Sequence, residues 1–276
     1  MVNEVLLDKS LDKSFIRRIG TFPAVGYPLI FGWRKGWVPV PKGVAQVRFK
    51  DGRILRCDLS DSTQRTMALG LFEPAESRLV KELLNPQDAF VDVGAHIGWF
   101  TTIAAQCVGK DGLVIACEPY PPNVAALKEN LALNGAANVR LVDMALGSSP
   151  GTLSLGFDAD SGATTALDWG GPSQRVEAPM TTLDEVTAEV AAVTLMKMDV
   201  EGWEAHVLRG GSEALARTKH VLIEINKPVL KKAGSSPEEL YALLRSSGFK
   251  TFIPVAQHGL RRLLPDDDLV NVLATR

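Results

Sequence analysis

Cysteine is scarce. Cys57, Cys107 and Cys117 are the only three in 276 residues, and no two form a C-x-x-C pair, so their spacing suggests neither a zinc site nor a thiol-exchange motif. They read as reduced core residues. An excess of charge is lacking too: 30 basic residues stand against 32 acidic ones, for a net charge of -2. Nothing in that balance draws the chain to nucleic acid or an anionic membrane, and no nucleic-acid partner is expected. Long apolar runs are also missing. Residues 22 to 33, FPAVGYPLIFGW, fall short of the roughly 20 residues that span a bilayer, and Pro23 and Pro28 interrupt them. They predict a segment packed on the domain and no transmembrane segment. Glu4, Asp8 and Asp12 occupy the region where a secretory signal would begin with basic residues, so the expected location is cytoplasmic. Repeats and low-complexity tracts are absent, and the one charge run, Asp266 to Asp268, reads as a solvated turn.

What is present suits a large core, with hydrophobic residues at 46%. The length predicts one large domain, residues 88–276, preceded by an extension over 1–87. Within the extension, Val47 and Phe49 alternate with polar neighbours before Asp51-Gly52 and then Ile54 and Leu55, a hairpin pattern. Pro74 opens a segment whose Leu79, Val80, Leu83 and Leu84 recur at helical spacing. From Ala89 the pattern changes. The runs AFVDV, LVIAC, NVRLV, VTLMKM and HVLIEI alternate with helical segments, one of them closed by Gly135 at the usual cap position. Such alternation predicts an α/β fold, a largely parallel sheet with helices on both faces. Residues 157 to 174 read as a long surface loop.

The most informative turn follows the first of these strands. Asp92, Gly94 and Gly98 form D-x-G-x-x-x-G, and glycine lets a flat adenosine approach the backbone at the carboxyl edge of the sheet. A dinucleotide would need its pyrophosphate over G-x-G-x-x-G, a different spacing. The Asp92 carboxylate would repel pyrophosphate and accept hydrogen bonds from an ammonium, which points to S-adenosylmethionine. Glu118 ends the second strand, where an acid accepts both ribose hydroxyls. Two acids thus bracket one nucleoside.

Four segments carry a resemblance to a known group: FEPAESRLVKELL, FVDVGAHIGWFT, ACEPYPPNVAALKENLALNG and LMKMDVEGWEAHVLRGG. LVDMALG and TTLDEV add to it, and K-M-D-V-E-G-W-E is the most distinctive part. From about residue 45 to residue 226 the chain resembles the FkbM-type family of S-adenosylmethionine-dependent methyltransferases. The resemblance implies a Rossmann-like class I sheet, mostly parallel and seven-stranded with the last strand antiparallel. It also implies O-methylation of a sugar, polyketide or peptide product. Many relatives have asparagine where this chain has His96, which reads either as a backbone-contacting turn residue or as a group that works on the cofactor or a proton. Asp143 matches the region where relatives of this fold read the adenine amino group.

Methyl transfer is a direct displacement that gains mostly from alignment, and a positioned base typically adds roughly 10² to 10⁴ for a hydroxyl nucleophile. Asp199 and Glu201 follow VTLMKM, on the same edge as Asp92 and Glu118. Asp199 is the first candidate for the base or acceptor-orienting acid, with Glu201 and His96 behind it. Glu201 and Glu204, three apart, suggest a shared helical face. No spacing among Asp199, Glu201 and Glu224 demands a cation, so no metal is assigned. His206, His220 and His258 are isolated and read as surface or satisfied core residues. The expected partner is a small-molecule or glycan acceptor, with homo-oligomerisation left open. An amine acceptor is the nearest alternative. A nicotinamide-dependent oxidoreductase is disfavoured by the glycine spacing and Asp92, and a non-catalytic cofactor-binding protein by the intact acids.

Overall fold

The computed structural model describes residues 4–7, 42–157, 164–165, 175–256, 259–260 and 268–276. The 22–33 segment, most of the 157–174 stretch, His258, Asp266 and Asp267 lie outside them. Before the alternation come β1 (Glu4–Leu7), β2 (Val44–Arg48), β3 (Ile54–Asp58), α1 (Ser62–Ala68) and α2 (Pro74–Leu83). Alternation then begins with β4 (Ala89–Val93), α3 (Trp99–Val108), β5 (Leu113–Cys117), α4 (Pro121–Leu133) and β6 (Val139–Val142). A side branch follows, comprising β7 (Ala145–Gly147), β8 (Gly151–Phe157), β9 (Thr164–Thr165), β10 (Arg175–Thr182) and α5 (Leu183–Val186). The main path resumes with β11 (Val193–Met198), α6 (Glu204–Arg209), α7 (Ser212–Ala216), β12 (Thr218–Asn226), α8 (Lys227–Lys232) and α9 (Pro237–Ser246). It closes with β13 (Thr251–Ala256), β14 (Gly259–Leu260) and β15 (Leu269–Thr275).

The main sheet has the order β14-β13-β15-β12-β11-β4-β5-β6. Strands β12, β11, β4, β5 and β6 are parallel, while β15 runs antiparallel between β12 and β13. This is the expected seven-stranded class I sheet, lengthened at one edge by the two-residue β14. A two-residue pleat explains why its strands read as continuous apolar runs. Val91, Val93, Met196 and Met198 enter one core with Val221 and Ile223, while Phe90, Leu195 and Leu222 enter the other. From β4 the chain builds outward through β5 and β6, then returns to lay β11 on the opposite side of β4. That reversal makes a topological switch point at the carboxyl ends of β4 and β11, the place where open α/β sheets bind ligands. The side branch forms its own sheet, β7-β10-β8-β9. Among the described residues, no helix is long and apolar enough to cross a membrane.

The β2–β3 hairpin turns through Gly52 at φ 87° and packs on α3. Phe49 meets Trp99 edge to face at 5.3 Å. The buried Arg53 guanidinium donates to the Trp99 carbonyl at 3.2 Å and to Thr102 Oγ1 at 3.1 Å, with Asp51 as its ion-pair partner. Asn130 of α4 and Asn134 at its C-cap satisfy the outer edge of β3, which would otherwise leave backbone groups unpaired. Asn134 Oδ1 accepts from Ile54 N at 2.9 Å, and Asn130 Oδ1 from Arg56 N at 2.7 Å. Asn130 Nδ2 also donates to the Ile97 carbonyl in the glycine turn at 2.8 Å. One fully buried amide thereby joins the hairpin, α4 and the turn. Asn130→Ala is expected to cost about 1–3 kcal/mol, the desolvation penalty of groups left unpaired. Urea unfolding measures this, and a loss below about 0.5 kcal/mol, the low end for one net hydrogen bond, would show that water replaces the amide.

Candidate functional site

The turn after β4 is held on both sides by backbone. Gly94 N and Ala95 N each donate to the Cys117 carbonyl at 3.0 Å, tying the turn to β5. Gly94 has φ 86°, and a Cβ built there would lie 1.9 Å from the Asp199 carbonyl oxygen. Asp199 N in turn donates to the Val93 carbonyl at 3.0 Å. Gly98, at φ 94°, opens α3 under Leu127, whose Cδ1 would be 2.6 Å from an added Cβ. Both glycines therefore serve close packing as well as the path of the turn.

Glu118 Oε2 accepts from His96 N at 2.8 Å and Oε1 from Tyr120 N at 2.9 Å, with Asn123 Nδ2 at 3.4 Å. Burial pushes its carboxyl up to about 7 against the pull of those donors. Asp92 is 1% exposed and accepts from Thr101 Oγ1 at 2.6 Å; burial raises it to about 6, with Lys197 opposing. The turn and Glu118 are thus brought together, while the Asp92 carboxylate points into the α3 face and is already engaged. Asp143 lies beyond β6, 64% exposed, with its carboxylate 3.7 Å from Lys128 Nζ. His96 takes φ 51° and leaves Nδ1 buried, with no hydrogen-bond partner among the described residues. Burial lowers its imidazole to about 4, so it is neutral at physiological pH.

The ends of β11 and β12 carry a group of carboxyls around one ammonium. Lys197, on the α3 face of β11, is 4% exposed; its Nζ lies 2.8 Å from Asp199 Oδ2, 3.7 Å from Glu73 Oε2 and 4.6 Å from the Phe100 ring centre. Carboxyl oxygens of Glu73, Asp199 and Glu224 lie within 4.8 Å of one another. Burial, reinforced by Asp199, pushes Glu201 to about 8 and Glu224 to about 10. Burial also works against the Lys197 charge, which its acidic neighbours raise overall. Glu201 and Glu204 share no helical face. Glu201 at φ 51° and Gly202 at φ 97° form a turn, and α6 starts only at Glu204. Glu204 Oε1 folds back to accept from Val200 N and Gly202 N, each at 3.2 Å, and so shapes the loop that presents Asp199 and Glu201. Among the isolated histidines, His206 stacks on Trp203 at 3.7 Å and His220 is partly buried on β12.

Reading by spacing misses Glu73 and Lys197. Each leaves a trace in the sequence. A glutamate directly before a helix-opening proline is an unusual cap, where serine, threonine, aspartate or asparagine is favoured. A lysine within VTLMKM puts a charge in a strand that is otherwise buried.

A sequence profile described as "Methyltransferase FkbM domain" matches residues 92–251. The 31-O-demethyl-FK506 methyltransferase FkbM of Streptomyces tacrolimicus is 30% identical over 200 residues, covering 60% of this chain and 74% of that protein. The hexuronic acid methyltransferase AglP of Haloferax volcanii is 29% identical over 178 residues, covering 64% and 69%. Among solved structures, an FkbM methyltransferase from Methylobacillus flagellatus KT aligns with a TM-score of 0.47 at 18% identity, over 78% of this chain and 55% of that one. With the profile spanning more than half of the sequence, the chain belongs to the FkbM-type methyltransferases, whose methyl donor is S-adenosylmethionine.

Proposed function

We propose that this enzyme methylates a hydroxyl of a small-molecule or glycan acceptor, such as a sugar, polyketide or peptide natural product. The observation that carries the reading is the junction of Gly94 with Asp199, which sets the acid that follows β11 directly beside the glycine turn of β4. The donor set suits S-adenosylmethionine: Glu118 offers acceptor oxygens to ribose hydroxyls, and the acids here suit an ammonium better than a phosphate. When bound, this cofactor supplies an electrophilic methyl on sulfur. Glu118 holds the ribose, Asp143 reads the adenine amino group, and Gly94, His96 and Gly98 shape the surface beneath. Asp92 contributes the negative charge behind the turn, since Thr101 already occupies one of its oxygens. On the acceptor side, Lys197 fixes Asp199 Oδ2, leaving the carboxylate oriented to receive the acceptor hydroxyl. Alignment of that hydroxyl supplies much of the rate. The net charge of -2 fits a small acceptor better than a nucleic acid.

The test is incubation with methyl-tritiated S-adenosylmethionine and an extract of the source organism's small molecules and glycans, followed by mass spectrometric location of the label. Label on an oxygen is expected. Label on nitrogen, or on protein alone, would replace this reading. A second test addresses the cofactor: Glu118→Ala should bind S-adenosylmethionine at least tenfold more weakly by calorimetry, because hydrogen bonds to a charged group are worth roughly 1.5–3 kcal/mol. Unchanged affinity in the folded variant would place the ribose elsewhere.

A further inference from the structure

We propose that Glu73, which lies outside the domain's main strand and helix alternation, is the proton acceptor of the methyl transfer. The proposal rests on the hydroxyl reading above and adds a division of labour between two carboxyls. Asp199 is committed through Oδ2 to Lys197 at 2.8 Å, whereas Glu73 Oε2 stands 3.7 Å from the same ammonium, an ion pair without a hydrogen bond. That oxygen is buried and has no hydrogen-bond donor among the described residues. An unsatisfied buried polar group calls for an explanation, and a functional role is a common one. The Glu73 side chain as a whole is still 18% exposed, so the group lies at the boundary between the sealed lysine and the sheet edge.

Its backbone gives a second, independent sign. Glu73 takes φ 39°, ψ 62°, the left-handed region that is uncommon for a side-chain-bearing residue and unlike the extended conformation usual before proline. Such conformations gather at functional sites, where surrounding structure holds them in place. Here Pro74 fixes the next residue, and Ser77 N donates to the Glu73 carbonyl at 2.9 Å. The result is a carboxyl carried from the start of α2 to within 4.8 Å of Asp199 and Glu224 oxygens.

The charged groups around it are Lys197 on β11, Asp199 and Glu201 in the following loop, Glu224 on β12 and Glu76 on α2. Burial raises the Glu73 carboxyl to about 7, Lys197 lowers it, and Asp199 and Glu76 add to the rise. A proton acceptor works best near the operating pH. In the reaction the acceptor oxygen forms its bond to the methyl carbon while the carbon–sulfur bond breaks. The electron pair stays on sulfur as a neutral thioether, and the hydroxyl proton passes to the Glu73 carboxylate. Sulfonium and carboxylate are neutralised together.

The test follows single turnovers across pH, using as acceptor the extract fraction that takes label with the unaltered enzyme. The unaltered rate should rise with pH through about 7, as Glu73 loses its proton, and then level off. Glu73→Gln should be at least about 10²-fold slower and lack that rise. Glu73→Asp should recover part of the rate and keep the rise, while both variants bind S-adenosylhomocysteine. A folded Glu73→Gln that keeps the rise or the rate would overturn the proposal while leaving an oxygen-methylated product, and so the hydroxyl reading, intact. Label on nitrogen would instead remove the reading on which the proposal rests. Without any acceptor, carboxyl carbon NMR of the S-adenosylhomocysteine complex should show Glu73 titrating near 7, and at lower pH in Asp199→Asn, which removes a negative neighbour. The Glu73 signal is assigned by its loss in either variant. A midpoint below about 5, the ordinary glutamate range, would also overturn it, whether or not Glu73→Gln folds.

Discussion

Asp199→Asn should bind S-adenosylmethionine almost normally yet complete a single turnover at least about tenfold more slowly, the loss expected for a hydrogen bond to a charged group. Asparagine keeps the shape of the side chain and the backbone bond from residue 199 to the Val93 carbonyl. What it loses is charge, at the centre of a group that has Lys197 2.8 Å away and the Glu73 and Glu224 carboxyls close by. The acceptor hydroxyl then meets a weaker hydrogen-bond acceptor. Lys197 is also left to Glu73 and draws its proton affinity down, which makes Glu73 a poorer base. Both changes fall on the chemical step, so rate and cofactor affinity should separate. If affinity fell as steeply as rate, Asp199 would belong to the cofactor pocket. An unchanged rate would remove it from the mechanism and direct attention to Glu201 and His96.

Gly94→Ala should be the most destabilising single change at the site. Its Cβ would lie 1.9 Å from the Asp199 carbonyl oxygen at φ 86°, so overpacking against backbone adds to the cost of a left-handed alanine. Together these come to about 2–5 kcal/mol, a large part of the 5–15 kcal/mol that holds typical domains folded. Gly52→Ala is the control, since Gly52 has a similar φ of 87° but nothing within 4 Å of an added Cβ. It should lose only the left-handed cost, about 1–2 kcal/mol. Urea unfolding of both variants separates strain from collision, and equal losses would show that the Asp199 loop yields at little cost.

The elements that were legible in the sequence are those specified locally. AFVDV, LVIAC and VTLMKM announce buried parallel strands because both faces of each are apolar, and Pro74 and Gly135 mark helix ends by their own backbone limits. Glycine spacing and Glu118 mark the carboxyl edge of β4 and β5 for the same reason, since turn geometry is a short-range property. Relations across long separations were hidden. Nothing local says that Thr101 caps Asp92, or that Lys197 meets a glutamate from the start of α2. Glu201 and Glu204 look like a helical pair, yet the positive φ values at Glu201 and Gly202 delay the helix until Glu204. The side-branch sheet was obscure too: its strands pair with one another away from the main alternation, so no two-sided apolar run reveals them.

Because β4 and β11 are adjacent in the sheet, the glycine turn and Asp199 hang from neighbouring strands. Such strands are held about 4.7–4.9 Å apart by backbone hydrogen bonds. In the proposed mechanism the reach of the reaction is therefore set by the pleated scaffold, and side chains at its rim change only what is brought within that reach. Recognition of a new acceptor and preservation of the transfer distance become separable problems in this architecture: the first is open to drift in the surrounding segments, and the second is guarded by the ladder itself.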